Sequence, residues 1–129
     1  LYVDARAMIS ARTTQVRAVD RLRTAVKEGE AFQSSAELLA HLLRDQADVL
    51  VGIVRDATRQ VDAIEDRILE ADTSTSRPRL GALRRVLVRL QRLLAPEPAA
   101  LFRLLNHPPS WLSADDVALL RGSAEELSA

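Results

Sequence analysis

The residues best suited to chemistry are one histidine and two aspartates, His41, Asp45 and Asp48. Their spacing of four and then three residues places all three on one face of a helix. Imidazole and carboxylate groups bind zinc and harder divalent cations, so this face is the candidate metal site. Two or three ligands on one exposed helix make a weak site, and the spacing favours a solvated helix face instead.

No other residue pattern predicts chemistry. The chain has no cysteine, which rules out a disulfide framework, a thiolate metal site and a cysteine nucleophile. It also has no Ser/His/Asp arrangement, no glycine-rich phosphate loop and no pair of carboxylates at a recognisable catalytic spacing. We therefore predict no enzyme, no catalytic residue and no bound cofactor, and we expect a cytoplasmic setting.

Charge is segregated along a chain whose 18 basic and 18 acidic residues balance. Residues 60–72 carry five acids and one arginine, whereas residues 77–92 carry six arginines and no acid. Arginines in a stripe can contact phosphate, but no aromatic residue is interleaved here to stack on bases. Because the neighbouring acids can pair with the arginines, we predict no nucleic-acid partner and an antiparallel pair of segments instead.

A long helix is predicted between residues 35 and 72, capped by Ser34 and Ser35. Its apolar residues keep an unbroken three-and-four spacing, which predicts one continuous packing seam. The seam consists of Ala36, Ala40, Leu43, Ala47, Leu50, Val54, Ala57, Val61, Ile64, Ile68 and Ala71. The first half has further apolar residues outside the seam and should be covered on several sides. In the second half the positions outside the seam are mostly charged, so this half should pack against a single partner helix.

That partner is a return helix at about 78–95, after a polar turn at Asp72 to Ser76 with Pro78 in the first helical turn. Leucines at helical spacing give it a matching seam: Leu80, Leu83, Leu87, Leu90 and Leu94. Antiparallel pairing would then place Asp66 near Arg84 or Arg85, and Asp62 near Arg89. Such exposed pairs contribute about 0.2 to 1 kcal/mol each, so they would fix register more than stability.

The two ends of the chain carry shorter elements. Residues 1–12 alternate loosely and predict one or two short strands. The next helix is expected from a cap at Thr13 and Thr14 to about Glu28, with Gly29 as a left-handed stop. Prolines interrupt the chain after the return helix, at Pro96 and Pro98. Ser113 with Asp116 then predicts the cap of a last helix over about 113–128.

These elements predict a mainly α fold, a long antiparallel helical hairpin with additional short helices and a small β remnant at the N-terminus. Only four of the 129 residues are aromatic, so Leu, Val and Ala must fill the core, which favours helix-on-helix packing. We expect residues 1–13 to be the strand remnant of a truncated N-terminal α/β domain and residues 14–129 to form one helical domain. No apolar run reaches the roughly 20 residues of a membrane span, so we expect a soluble piece of a longer protein.

The order of these features resembles the CorA-like family of divalent-cation transport proteins. The resemblance rests on the long helix with Val61 to Ile68, and on the return helix over Leu83 to Arg92. The stretch from Leu39-Ala40-His41-Leu42-Leu43 through Asp66-Arg67 is most similar to the ZntB zinc-transport branch. The helix after Ser113 would correspond to the start of the family's stalk.

The resemblance implies a homopentamer at the cytoplasmic face of the bacterial inner membrane, with zinc or magnesium as the transported ion. Two membrane helices and a Gly-Met-Asn motif at the pore mouth define the family, and neither occurs in these 129 residues. No pore residue can therefore be assigned. The implied role of these residues is assembly and gating. A fragment would expose residues that the complete protein covers, such as Leu38, Leu42 and Val49. The alternative is a soluble coiled-coil scaffold or adaptor that binds a protein partner.

Overall fold

A computed structural model describes residues 1–69, 76–94 and 96–128. Two strands and five helices follow in the order β1 (Tyr2–Val3), β2 (Met8–Ile9), α1 (Arg17–Lys27), α2 (Ser35–Leu69), α3 (Ser76–Leu94), α4 (Pro96–Asn106) and α5 (Ala114–Ser128). The chain divides into two compact units. Unit 1 comprises Leu1–Val49 and Pro98–Ala129, and unit 2 comprises Leu50–Glu97.

The mainly α prediction is confirmed, including the long helix, the short helices and the N-terminal strands. The prolines separate α3 from α4 as predicted. None of the helices in the described ranges is long and apolar enough to cross a bilayer. The polar turn expected at Asp72 to Ser76 lies outside the described residues, except that Ser76 begins α3. The seam residue Ala71 and the side chains of Ile68 and Leu94 also lie outside the described part.

Unit 1 holds the main hydrophobic core. Small and branched aliphatic side chains from α2, α4, α5 and the preceding loop form it: Ala36, Leu39, Ala40, Leu105, Leu112, Leu120 and Ala124. Trp111 and Val117 pack against this cluster from its edge. Leu120 is only 1% exposed, so α5 is fixed to the early part of α2 by close packing as well as by hydrogen bonds.

The two strands form an antiparallel hairpin in which Tyr2 pairs with Ile9 and Val3 with Met8. Asp4 organises its turn, because Oδ1 accepts hydrogen bonds from the backbone amides of Arg6 and Ala7. These amides, led by that of Arg6, and the Tyr2 hydroxyl lower the pKa of Asp4. The Ser35 hydroxyl donates to the Asp4 carbonyl, which ties the hairpin to α2. The domain boundary predicted at residue 13 stays a prediction.

Helix α1 begins later than predicted, and the predicted cap at Thr13 and Thr14 is wrong. The helix starts at Arg17 after Val16, which has no side chain capping it. Arg12 stabilises this end instead: its guanidinium donates to the Val16 carbonyl at 3.2 Å and to Asp20 at 2.5 Å. At the other end Gly29 has φ +91°, so the predicted left-handed stop is confirmed.

The N-termini of α2 and α5 are capped as predicted. The Ser34 hydroxyl accepts the amide of Glu37 at 3.1 Å, and the Ser113 hydroxyl accepts the amide of Asp116 at 3.0 Å. Asp116 reciprocates by accepting from the Ser113 amide at 3.1 Å and its hydroxyl at 2.8 Å. These bonds, the hydroxyl first, lower the pKa of Asp116, with the Ser34 hydroxyl contributing as a further donor.

Unit 2 consists of the later part of α2 and the return helix α3. Ile53 of α2 lines a groove with Arg89 and Leu90, whereas Ile64 lines a second groove with Arg79 and Leu83. A later position on α2 thus meets an earlier position on α3, which is the antiparallel arrangement that the sequence predicts.

The seam of α2 is buried at most described positions but not at all of them. Ala36, Ala40, Ala47, Ala57 and Ile64 are buried. Val54 was predicted within the seam and is 54% exposed, since its neighbours in unit 2 leave that side of the helix uncovered. The residues expected to be exposed in a fragment, Leu38, Leu42 and Val49, are instead half-buried.

Candidate functional site

The imidazole of His41, on the second turn of α2, lies between two carboxylates. Its Nδ1 is 3.1 Å from Oδ2 of Asp45, one turn further along the helix. Its Nε2 is 3.7 Å from Oε1 of Glu30, in the loop that follows Gly29. Phe32 covers the ring from the side, edge to face, with the ring centroids 5.4 Å apart. The loop after α1 therefore supplies two of the residues that lie against His41, Glu30 and Phe32.

Asp45 links this cluster to α1. Its Oδ1 lies 3.9 Å from a guanidinium nitrogen of Arg21. The side chain of Asp45 is only 14% exposed and that of His41 28%, so the solvated face expected from the spacing is partly covered here. Asp45 Oδ2 and His41 Nδ1 are both buried, and in the described part of the chain neither has a hydrogen-bond partner of good geometry.

The structure brings together two of the three predicted candidates. His41 and Asp45 are in contact, whereas Asp48 is exposed and takes no part in the cluster's ion pairs. Within residues 1–69, 76–94 and 96–128, no group of three His, Asp or Glu side chains is placed to hold a metal ion. The metal site therefore stays a prediction, with His41 at its centre.

Sequence reasoning missed Glu30 and Arg21, because both reach His41 or Asp45 from another element. Helical spacing identifies neighbours on one helix only, and nothing in the spacing of α2 points to α1 or its loop. The one available signal was Gly29. Its left-handed conformation ends α1 and turns the chain back, and Glu30 follows it directly.

What the cluster can do follows from its geometry. Asp45 faces one ring nitrogen of His41, as carboxylates do when they orient an imidazole. The other ring nitrogen faces Glu30, whose carboxylate is half-exposed and can rotate. This pair could bind a divalent cation weakly with water completing its coordination, or it could form ion pairs when the imidazole is protonated.

The second candidate surface is the charged hairpin of unit 2. The predicted pairs of Asp66 with Arg84 or Arg85, and of Asp62 with Arg89, are wrong: none occurs among the ion pairs of the described residues. The reason is register, because α3 lies with Arg79 and Leu83 beside Ile64, so these acids lie nearer the start of α3 than predicted.

Comparison with known proteins gives one family. A family model described as CorA-like Mg2+ transporter protein matches residues 1–129. The Divalent cation transporter CmaX of Pseudomonas aeruginosa is 34% identical over 121 residues, which is 90% of this chain and 35% of that protein. No solved structure matches the chain.

Two zinc transport proteins are also similar. Zinc transport protein ZntB of Pectobacterium carotovorum is 24% identical over 127 residues, and ZntB of Klebsiella pneumoniae is 29% identical over 130 residues. Each match covers 98% of this chain and 38% of the relative. The chain thus spans little more than a third of the length of these proteins, whose names describe cation transport and not catalysis.

Proposed function

Because the chain belongs to the CorA-like Mg2+ transporter family, we propose that it forms a helical cytoplasmic part of a divalent-cation transport protein. The observation that carries this proposal is the match along all 129 residues. The transported ion would be zinc or magnesium, in keeping with the name of ZntB and with the description of the family model. The pore itself would lie in parts of the protein beyond this chain.

The role of these residues would be assembly and gating. A helix of 35 residues such as α2 extends about 50 Å at 1.5 Å per residue, far more than a compact core requires. Such a helix suits the wall of a larger assembly. We propose that this assembly is a homopentamer at the cytoplasmic face of the bacterial inner membrane, which it would cross by helices outside this chain.

The helical domain would comprise residues 14–129, with the two strands as the end of a preceding α/β domain. Helix α5 would be the start of a stalk toward the membrane. The support for this division is the sequence resemblance together with the position of α5 as the last helix of the described chain.

Uptake of zinc and magnesium by cells carrying the complete gene tests the proposal. The informative variant is Ile64→Asp, which places a charge at a position that is only 4% exposed. Its matched control is Val54→Asp on the same helix, where the side chain is 54% exposed. We expect cation uptake by the unmodified protein, its loss in Ile64→Asp and its retention in Val54→Asp.

Absence of both zinc and magnesium uptake from a well-expressed, membrane-located protein would overturn the transport proposal. Equal uptake by the two variants would contradict the assembly and gating role of α2 but not the transport proposal. Translation of the gene past residue 129 adds a simple check, because the proposal requires two apolar stretches of about 20 residues there.

A further inference from the structure

Four arginines of α3 form a charged surface of unit 2, here called the arginine stripe. Arg84, Arg85, Arg89 and Arg92 are all exposed, and together with Val88 they line one shallow groove. None of the four has a carboxylate within 4.0 Å in the part of the chain that the structure describes. Like charges at this density repel one another unless a partner neutralises them.

The same unit carries an acidic stripe on α2, formed by Asp62, Glu65 and Asp66. All three residues are exposed, and at spacings of three and four they lie on one helix face. They too have no cationic partner among the ion pairs of the described residues. Unit 2 therefore presents two surfaces of opposite sign that form no ion pair among its described residues.

Apolar side chains accompany these charges. Val88 is 38% exposed in the groove with the arginines, and Val86 is 56% exposed on the same helix. Exposed aliphatic residues next to complementary charges are typical of protein interfaces, where apolar burial supplies affinity and charge supplies orientation. A nucleic-acid surface would instead be expected to offer aromatic rings for stacking, which unit 2 does not contain.

We infer that the arginine stripe of one copy binds the acidic stripe of a second copy of this chain. The inference rests on the proposed assembly role and names the surface that serves it. The occupant is identified by charge complementarity, since the acidic stripe has the sign and helical spacing to pair with the arginines. When one arginine stripe meets one acidic stripe in each pair of copies, the contact is heterologous, and its repetition closes a ring when the rotation between copies allows.

The test is sedimentation velocity of the 129-residue chain over a wide concentration range, at low and at high salt. Two charge-reversed variants are compared, one with Arg85→Glu and Arg89→Glu and one with Asp62→Arg and Asp66→Arg. The matched control for the arginine variant is Arg103→Glu with Arg121→Glu, which lowers the net charge by the same amount at exposed positions of unit 1. Circular dichroism of each variant verifies that the helices are retained.

We expect self-association that weakens with salt, and an increase in Kd of about tenfold or more in each reversed variant. The control should associate like the unmodified chain. Mixing the two reversed variants should restore association, because each reversed stripe then meets its complement. A variant that fails to fold cannot produce this restoration.

Three results would overturn the inference: a chain that stays monomeric, association that survives reversal of the arginines, or reversed variants that fail to associate when mixed. Binding of the monomeric chain to vesicles of anionic phospholipid, lost on reversal of the arginines, would assign the stripe to a lipid surface instead. Cation uptake by the complete protein is measured separately, so the failure of this interface and the failure of transport are distinguishable.

Discussion

The hydroxyl of Ser34 donates a hydrogen bond to Oδ1 of Asp116 at 3.1 Å. Ser34 also caps α2, and Asp116 lies in the first turn of α5, where it accepts from the capping residue Ser113. The bond between Ser34 and Asp116 therefore joins the N-termini of α2 and α5. The carboxylate lies where the exposed amides of both helix ends concentrate partial positive charge, which stabilises its ionised form. The two helices that meet here are separated by more than 40 residues of intervening chain.

Substitution Ser34→Ala should destabilise the protein by about 1 kcal/mol or more. It removes the cap of α2, which alone contributes about 1 kcal/mol, and it also removes the bond to Asp116. Urea denaturation at neutral pH measures the loss. Ser10→Ala, at an exposed position, is the control, and an equal effect of the two substitutions would contradict the role of the junction.

Asp116 should make stability depend on acid pH. Hydrogen bonds from Ser113 lower its pKa in the folded protein below the ordinary value of 3.8. A lowered folded pKa means that the contribution is fully present above the unfolded value and is lost as pH falls from about 4 through the folded pKa. Asp116→Asn should therefore lower stability at neutral pH and flatten the acid limb of the stability curve. Denaturation midpoints between pH 7 and pH 2 measure this, and an unchanged acid limb would contradict it.

The same substitution at two glycines should have opposite effects. Gly29→Ala forces a side chain into a backbone with φ +91°, which should cost about 1 to 2 kcal/mol. Gly52 lies inside α2 with nothing within 4 Å of an added Cβ, so Gly52→Ala should stabilise by about 0.5 to 1 kcal/mol. Thermal unfolding of both variants tests the pair, and effects of the same sign would show that one conformation is described incorrectly.

Any zinc that the chain binds through this cluster should depend on His41 and not on Asp48. His41 is in contact with Asp45 and close to Glu30, whereas Asp48 is exposed and outside the cluster. In calorimetric titrations with zinc, His41→Gln should remove such binding and Asp48→Asn should leave it unchanged. A larger loss of zinc binding on replacing Asp48 would favour the metal site predicted from helical spacing.

The sequence predicts the helices well because their signals are local. The capping serines Ser34 and Ser113, the stop at Gly29 and the seam of α2 all depend on residues within one or two turns of each other. The errors concern contacts between elements. Where a threonine cap was predicted, the guanidinium of Arg12 donates to the Val16 carbonyl from five residues before α1, and Glu30 reaches His41 from a loop.

The register of α3 against α2 illustrates the same limit. Leucines at regular spacing allow several registers that differ by whole turns, and each buries a similar apolar surface. Pairing opposite charges selected one register in the prediction, but exposed ion pairs contribute too little to determine it. The packing of Ile53 and Ile64 against α3 gives a different register. In it Asp62, Asp66 and Arg89 form no ion pair among the described residues.

The scarcity of buried side chains in unit 2 has a consequence for its behaviour over time. Of its described residues, only Ala57 and Ile64 are buried apolar side chains, whereas unit 1 has a core of seven. Regions with few buried contacts open at a lower free-energy cost than the molecule as a whole. Amide hydrogens of α3 should therefore exchange with deuterium before those of α5, and trypsin should cut first at the arginines of the hairpin. An interface that covers the hairpin would slow both processes without changing the fold.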